Sequence, residues 1–144
     1  MISDIIQTLE EIIIRVSNYT ELSYAWDIAK NHNSKYEKRF CVTPLGIKEI
    51  SGTTNAITYN QDFNIVLCDK YVHESSNDFK KQDKVIELME MWKDIYKEFI
   101  QTRYGLSNKI ISCKLARTEK PLFDEDSKTI FIYGTVSLLY RDIL

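Results

Sequence analysis

Three consecutive carboxylates, Asp124, Glu125 and Asp126, stand just ahead of Lys128 in the stretch LFDEDSK. Asp126-Ser127-Lys128 has an acid-x-lysine spacing that suits metal-dependent nuclease chemistry. There, carboxylates hold a divalent cation and a lysine helps position the attacking water. Such a site also requires a separated acid on a neighbouring strand, and no residue of the chain is singled out for that part. On an extended backbone the adjacent Asp124 and Glu125 point in different directions, whereas Asp and Ser favour turns for backbone reasons alone. The stretch is therefore expected to be a solvated turn, with a divalent-metal nuclease built on Asp126 and Lys128 as the enzymatic alternative.

Other catalytic chemistry finds less support. There is no Gly-x-Ser-x-Gly elbow, and neither His32 nor His73 lies close in sequence to Cys41, Cys68 or Cys113. The cysteines are far apart, odd in number and set in strand-like runs, so free, buried thiols are expected rather than disulfides or a zinc site. Four glycines form no phosphate-binding loop. Glu87 with Glu90, and Asp94 with Glu98, fall on the polar side of a helical pattern. Lys80, Lys81 and Lys84 are interleaved with Asp78, Asp83 and Glu87, which suits a solvated face better than a phosphate site. No catalytic residue, no cofactor and no resident metal is expected.

The elements that would position any such residues are readable from periodicity. Ile2, Ile5, Ile6, Leu9, Ile12, Ile13 and Val16 make an amphipathic helical stripe, with Ser3 as an N-cap. Alternation around Leu22–Ile28 and Tyr36–Val42 suggests two antiparallel strands joined by the polar loop 30–35. Residues 44–60 are expected to form a projecting arm, either a long loop or a hairpin turning at SGTTN. A strand over 62–72 and a polar loop follow. Val85, Leu88, Met89, Trp92, Ile95, Tyr96 and Phe99 then define a long core helix, with Gly105 as its stop. Residues 109–117 and 128–141 read as closing strands, the last carrying Gly134 as a bulge or close-packing site. The expected fold is α+β over 1–144 as a single domain. It has a mostly antiparallel sheet of about five strands, an N-terminal helix and one long helix packed on one face, and the arm.

Composition sets the class. A chain of 144 residues, 44% hydrophobic and 28% charged, folds as a globular domain. A formal charge of −2 provides no global field for nucleic acid or an anionic membrane. The N-terminal apolar residues are interrupted by Asp4, Gln7, Glu10 and Glu11, so neither secretion nor membrane spanning is expected. The unusual count is tyrosine, nine in all, a residue that favours both sheets and subunit contacts. Within the arm, Ile47, Ile50 and Ile57 have no evident burial site in their own subunit. Together with Tyr59 and Tyr71 they are the expected subunit or partner interface.

In element order the chain resembles the tail-terminator and tail-completion proteins of tailed bacteriophages. The local likeness lies in EKPLFDEDSKTIFIYGTVSLLYR (119–141) and in TYNQDFNIVL (58–67). The resemblance carries over no active site. It implies a structural virion protein at the phage neck or tail, made in the host cytoplasm, that forms a homo-oligomeric ring by a closing head-to-tail contact. Other neck, portal or tail proteins would dock on that ring. DNA would pass through it without sequence-specific binding, and no membrane is involved. A monomeric protein-binding adaptor is the non-enzymatic alternative.

Overall fold

The computed structural model describes residues 2–21, 37–71, 78–101, 110–126 and 128–143. Helix α1 spans Ile2–Ser17 and α2 spans Asp78–Gln101. The strands are β1 (Thr20–Glu21), β2 (Arg39–Gly52), β3 (Ala56–Lys70), β4 (Ile110–Thr118), β5 (Leu122–Asp124) and β6 (Thr129–Ile143). They build one six-stranded sheet in the order β1-β2-β3-β6-β4, with β5 pairing the remaining length of β6. The architecture is α+β, two helices and a mixed, mostly antiparallel sheet. The expected mostly antiparallel sheet of about five strands is met roughly: there are six strands, and β1 pairs parallel with β2, Thr20 opposite Arg39. The strand and loop expected over 22–35, and Gly105, lie outside the described residues.

Both helical stripes are buried as their spacing requires. Ile5, Leu9, Ile12 and Ile13 of α1, and Leu88, Trp92, Ile95 and Phe99 of α2, share one core with Phe40, Phe63, Ile65, Leu67, Ile132, Val136 and Leu138 of the sheet. Cross-strand partners share a face, so these strand residues, paired Leu67–Ile132 and Phe63–Val136, put both helices on the same side. On the opposite side Val66, Cys68 and Phe131 form a smaller buried cluster. Ser3 lies inside the first turn of α1 rather than at its cap, since the helix already includes Ile2. At the other end Asn18 adopts φ 60 and its N–H donates to the Ile14 carbonyl at 2.8 Å, a left-handed stop that asparagine tolerates.

The centre of the sheet is the β3–β6 pair. It runs in unbroken register from Ala56 opposite Ile143 to Lys70 opposite Thr129. Halfway along, Ile65 pairs with Gly134, and the Trp92 indole lies directly over that glycine. Its Nε1–H donates to the Ile65 carbonyl at 3.3 Å. A Cβ at position 134 would fall within the indole's own volume. The glycine is thus the notch that seats α2 on the sheet, a close approach of the kind glycine permits within strands.

The β2–β3 hairpin turns at Thr53–Asn55, where the Thr53 N–H donates to the Ala56 carbonyl at 2.8 Å and the Thr53 hydroxyl accepts from the Asn55 and Ala56 N–H groups. The expected turn at SGTTN is present, but the segment is not a free-standing arm: β6 backs β3 as far as Ala56. What stands at the margin is the outer half of β2, hereafter the rim. Register shifts between Pro44 and Ile47 and between Glu49 and Ser51 mark two bulges there.

Overpacking of a rigid aromatic contact costs about 3 kcal/mol. Gly134→Ala is expected to lose that much stability in urea unfolding, and to lose measurably less in a Trp92→Leu background, where the indole no longer fills the notch. Equal losses in the two backgrounds would show that the alanine acts elsewhere.

Candidate assembly surface

The acidic turn is occupied by contacts within the chain. The Asp124 Oδ1 accepts from the Asp126 N–H at 3.1 Å, and Lys128 adopts φ 53 as the chain enters β6. The Glu125 carboxylate accepts the Tyr71 hydroxyl at 2.7 Å on one oxygen and Lys81 Nζ at 2.7 Å on the other. Lys81 Nζ also lies 4.3 Å from the Phe123 ring centroid and 5.1 Å from that of Tyr71, within cation–π range of both. Among the described residues, no group of three or more His, Cys, Asp or Glu is gathered as a metal set. The turn thus docks β5 onto the start of α2, two of its three carboxylates already accepting hydrogen bonds from the chain.

A second charged cluster, unpredicted from sequence, lies beside it. Asp69 is buried. One carboxylate oxygen accepts the Tyr19 hydroxyl at 3.3 Å and Lys84 Nζ at 3.1 Å, and the other accepts the backbone N–H groups of Lys38 and Lys70 at 3.2 and 2.8 Å. Four segments converge on this side chain: the end of α1, the entry to β2, where Lys38 has φ 51, the end of β3, and α2. Burial works to lower the Lys84 pKa, but its hydrogen bonds to Asp69 and Glu87 outweigh that and raise it. Burial also raises the Tyr19 hydroxyl, reinforced by the Asp69 and Glu87 charges. Tyr71 is pushed up to about 12 by burial and by Glu125. These raised values keep Lys84 charged and the Tyr19 and Tyr71 hydroxyls protonated at neutral pH.

Of the other charged groups singled out from sequence, Glu87 pairs with Lys84 and Glu90 with Lys93 along α2, and Glu98 pairs with Arg15 of α1. Cys41 and Cys68 are buried free thiols and Cys113 is half-buried. Burial raises the Cys68 thiol to about 12, far from a reactive thiolate. His32, His73 and the side chain of Lys80 lie outside the described residues. No helix among the described residues is long and apolar enough to cross a membrane.

The five expected interface residues separate by burial. Ile47 and Ile50 are 49% and 47% exposed on the rim. Ile57 is half-buried, and Tyr59 is half-buried with its ring centroid 5.7 Å from that of Tyr140. Tyr71 is a correction: at 5% exposure it is a core residue, its ring edge-on to Phe123, with Lys81 beside both rings and its hydroxyl on Glu125. Its amphipathic chemistry serves an internal junction instead of a subunit contact. Two residues missed from sequence extend the exposed set, Leu45 at 43% and Ile143 at 78%. Leu45 was hidden between Pro44 and Gly46, which read as loop. Leu45, Ile47 and Ile50 thus place three exposed apolar side chains beside two bulges on one stretch of strand.

No family model matches the chain, and no curated protein matches it. Function must therefore be argued from these residues.

Asp69 ties together elements far apart in sequence, so Asp69→Ala should cost about 3 kcal/mol or more by removing the acceptor of the Tyr19 hydroxyl and of the Lys38 and Lys70 N–H groups and leaving Lys84 with Glu87 alone. The alkaline limb follows from the pKa directions. Lys84, Tyr19 and Tyr71 all have raised values in the folded protein, so each contribution is complete below the ordinary values of 10.0 for tyrosine and 10.5 for lysine and is lost as pH rises through the folded-state values. Stability measured by urea unfolding should fall above about pH 10, and less steeply in Lys84→Met and Tyr71→Phe. An identical slope in both variants would exclude these groups as the cause.

Proposed function

We propose that the chain is a structural virion protein, a non-enzymatic subunit that assembles into a homo-oligomeric ring at the neck or tail of a tailed bacteriophage, of tail-terminator or head-tail joining type. The observation that carries the assembly part is the rim, where Leu45, Ile47 and Ile50 leave apolar side chains in solvent on a sheet margin. Burial of such side chains stabilises association by about 25 cal/mol per Å² of apolar surface removed from water. The phage part rests on the likeness of residues 58–67 and 119–141 to that family.

The mechanism is geometric. A heterologous contact, rim of one copy against a different surface of the next, closes into a ring when the rotation per subunit divides a full turn. The bulges and Pro44 interrupt the regular ladder that strand addition needs, so side chains of the rim, more than its backbone, would carry the contact. The ring would end tail or neck polymerisation and present a docking face to portal, neck or tail proteins. A net charge of −2 suits a passage for DNA that must not retain it. The protein would reside in the virion, and in the host cytoplasm during assembly.

The test is Ile47→Asp with Ile50→Asp, followed by light scattering and negative-stain imaging. Rings or higher oligomers of the wild type should be lost in the double variant, with unfolding free energy changed by no more than about 1 kcal/mol, since both sites are half in solvent. Parallel loss of assembly and stability would reassign both residues to the core. A protein that stays monomeric and cleaves DNA with magnesium, an activity lost in Asp126→Ala, would contradict the proposal outright.

A further inference from the structure

The course of the rim is set at a place where the strand ladder fails. Between the pairs Pro44–Phe63 and Ile47–Gln61, β2 contains one residue more than β3. Pro44 has no N–H to donate, and a Cβ at Gly46 would meet no atom within 4 Å. The Leu45 carbonyl, displaced from the ladder by the bulge, accepts instead from the Gln61 side-chain Nε2 at 3.1 Å. The other end of the same amide, Oε1, accepts the Tyr140 hydroxyl at 2.7 Å. Gln61 is 2% exposed and Tyr140 is 1% exposed, so the amide and the hydroxyl of this relay across β6, β3 and β2 are held away from water.

A primary amide suits this position because it gives a hydrogen to one neighbour and accepts one from the other. Gln61 lies on the face shared by Phe63 and Ile65, among apolar residues, where an unpaired amide would be costly. Its retention of both partners couples the bulge to the β3–β6 pair. Outside that bond, residues 45–52 of β2 are exposed throughout.

We propose that Gln61 is the positioning residue of the rim: its amide, braced by the Tyr140 hydroxyl, pins the Leu45 bulge and so fixes how Leu45, Ile47 and Ile50 are presented. Presentation in a fixed geometry removes an ordering cost that a partner would otherwise have to overcome. The role of the rim in contact rests on the assembly reading, but the pin is a property of the isolated subunit and is tested there.

The decisive variant is Gln61→Glu, studied by amide hydrogen exchange at about pH 4.5 and about pH 9, conditions chosen to span the raised pKa of a buried glutamate. A neutral carboxyl group donates once and accepts once, as the amide does. A carboxylate has no hydrogen for the Leu45 carbonyl. Exchange in residues 45–52 should exceed that of the wild type by about tenfold at the higher pH and return to the wild-type level at the lower one, with residues 63–69 and 130–138 protected throughout. The wild type measured at each pH controls for Glu49, Tyr59, Tyr140 and Asp142 on neighbouring register positions. Gln61→Met should loosen the same residues at both pH values, and Tyr140→Phe should do so to a smaller degree. Wild-type exchange in Gln61→Glu at the higher pH would overturn the proposal, as would loss of protection spread evenly over the sheet. The ring reading stands or falls separately, on the oligomeric state of the Ile47 and Ile50 double variant.

Discussion

The unbroken pairing of β3 with β6 is the constraint on which the other features depend. Because every residue of one strand has a fixed partner on the other, a slip of one position would turn Phe63, Ile65, Leu67, Ile132, Val136 and Leu138 away from the helices together. That register places Gly134 beside Ile65, so that one backbone position both lacks a side chain and offers a carbonyl to the Trp92 indole. The same ladder carries Asp69 near one end and Gln61 nearer the other. On the far face, the Ser137 hydroxyl donates to Asp62 at 2.6 Å across the two strands.

The two ends of the ladder do different work. At the Asp69 end, a buried carboxylate gathers the end of α1, the entry to β2 and the start of α2, and the Glu125 turn closes over Tyr71 alongside. Charge there is spent on internal cohesion. At the other end β2 leaves the regular ladder through two bulges, and its side chains turn to solvent. A strand margin with broken register resists indiscriminate pairing with other sheets while still displaying apolar side chains. A subunit that must join its neighbours in one way, without aggregating, needs that combination.

Much of this was legible in sequence wherever a single local period decided the outcome. The stripes of α1 and α2 are legible residue by residue, β6 is legible as a strand with Gly134 as a close-packing site, and a hairpin turning at SGTTN is one of the two forms expected for residues 44–60. The run of β2 through Pro44 and Gly46 was not, because those residues signal a strand end in the absence of a bulge. The roles of Asp69 and Gln61 were beyond local reading altogether: their partners Tyr19 and Tyr140 lie 50 and 79 residues away. Tyr71 was misplaced for a different reason, since a tyrosine's apolar ring and polar tip suit a buried junction and a subunit interface equally well. The parallel pairing of β1 carries no pattern at all in two residues.

The central claim is that the rim, and not another apolar surface, meets the neighbouring subunit. Hydroxyl-radical footprinting compared between dilute monomer and assembled protein tests it most directly, because Leu45, Ile47 and Ile50 on the rim compete with Ile14 and Ile86 on the helices, which are similarly exposed. The account predicts loss of labelling at Leu45, Ile47 and Ile50 on assembly, with Ile14 and Ile86 unchanged. Protection of the helix residues with the rim still labelled would contradict it.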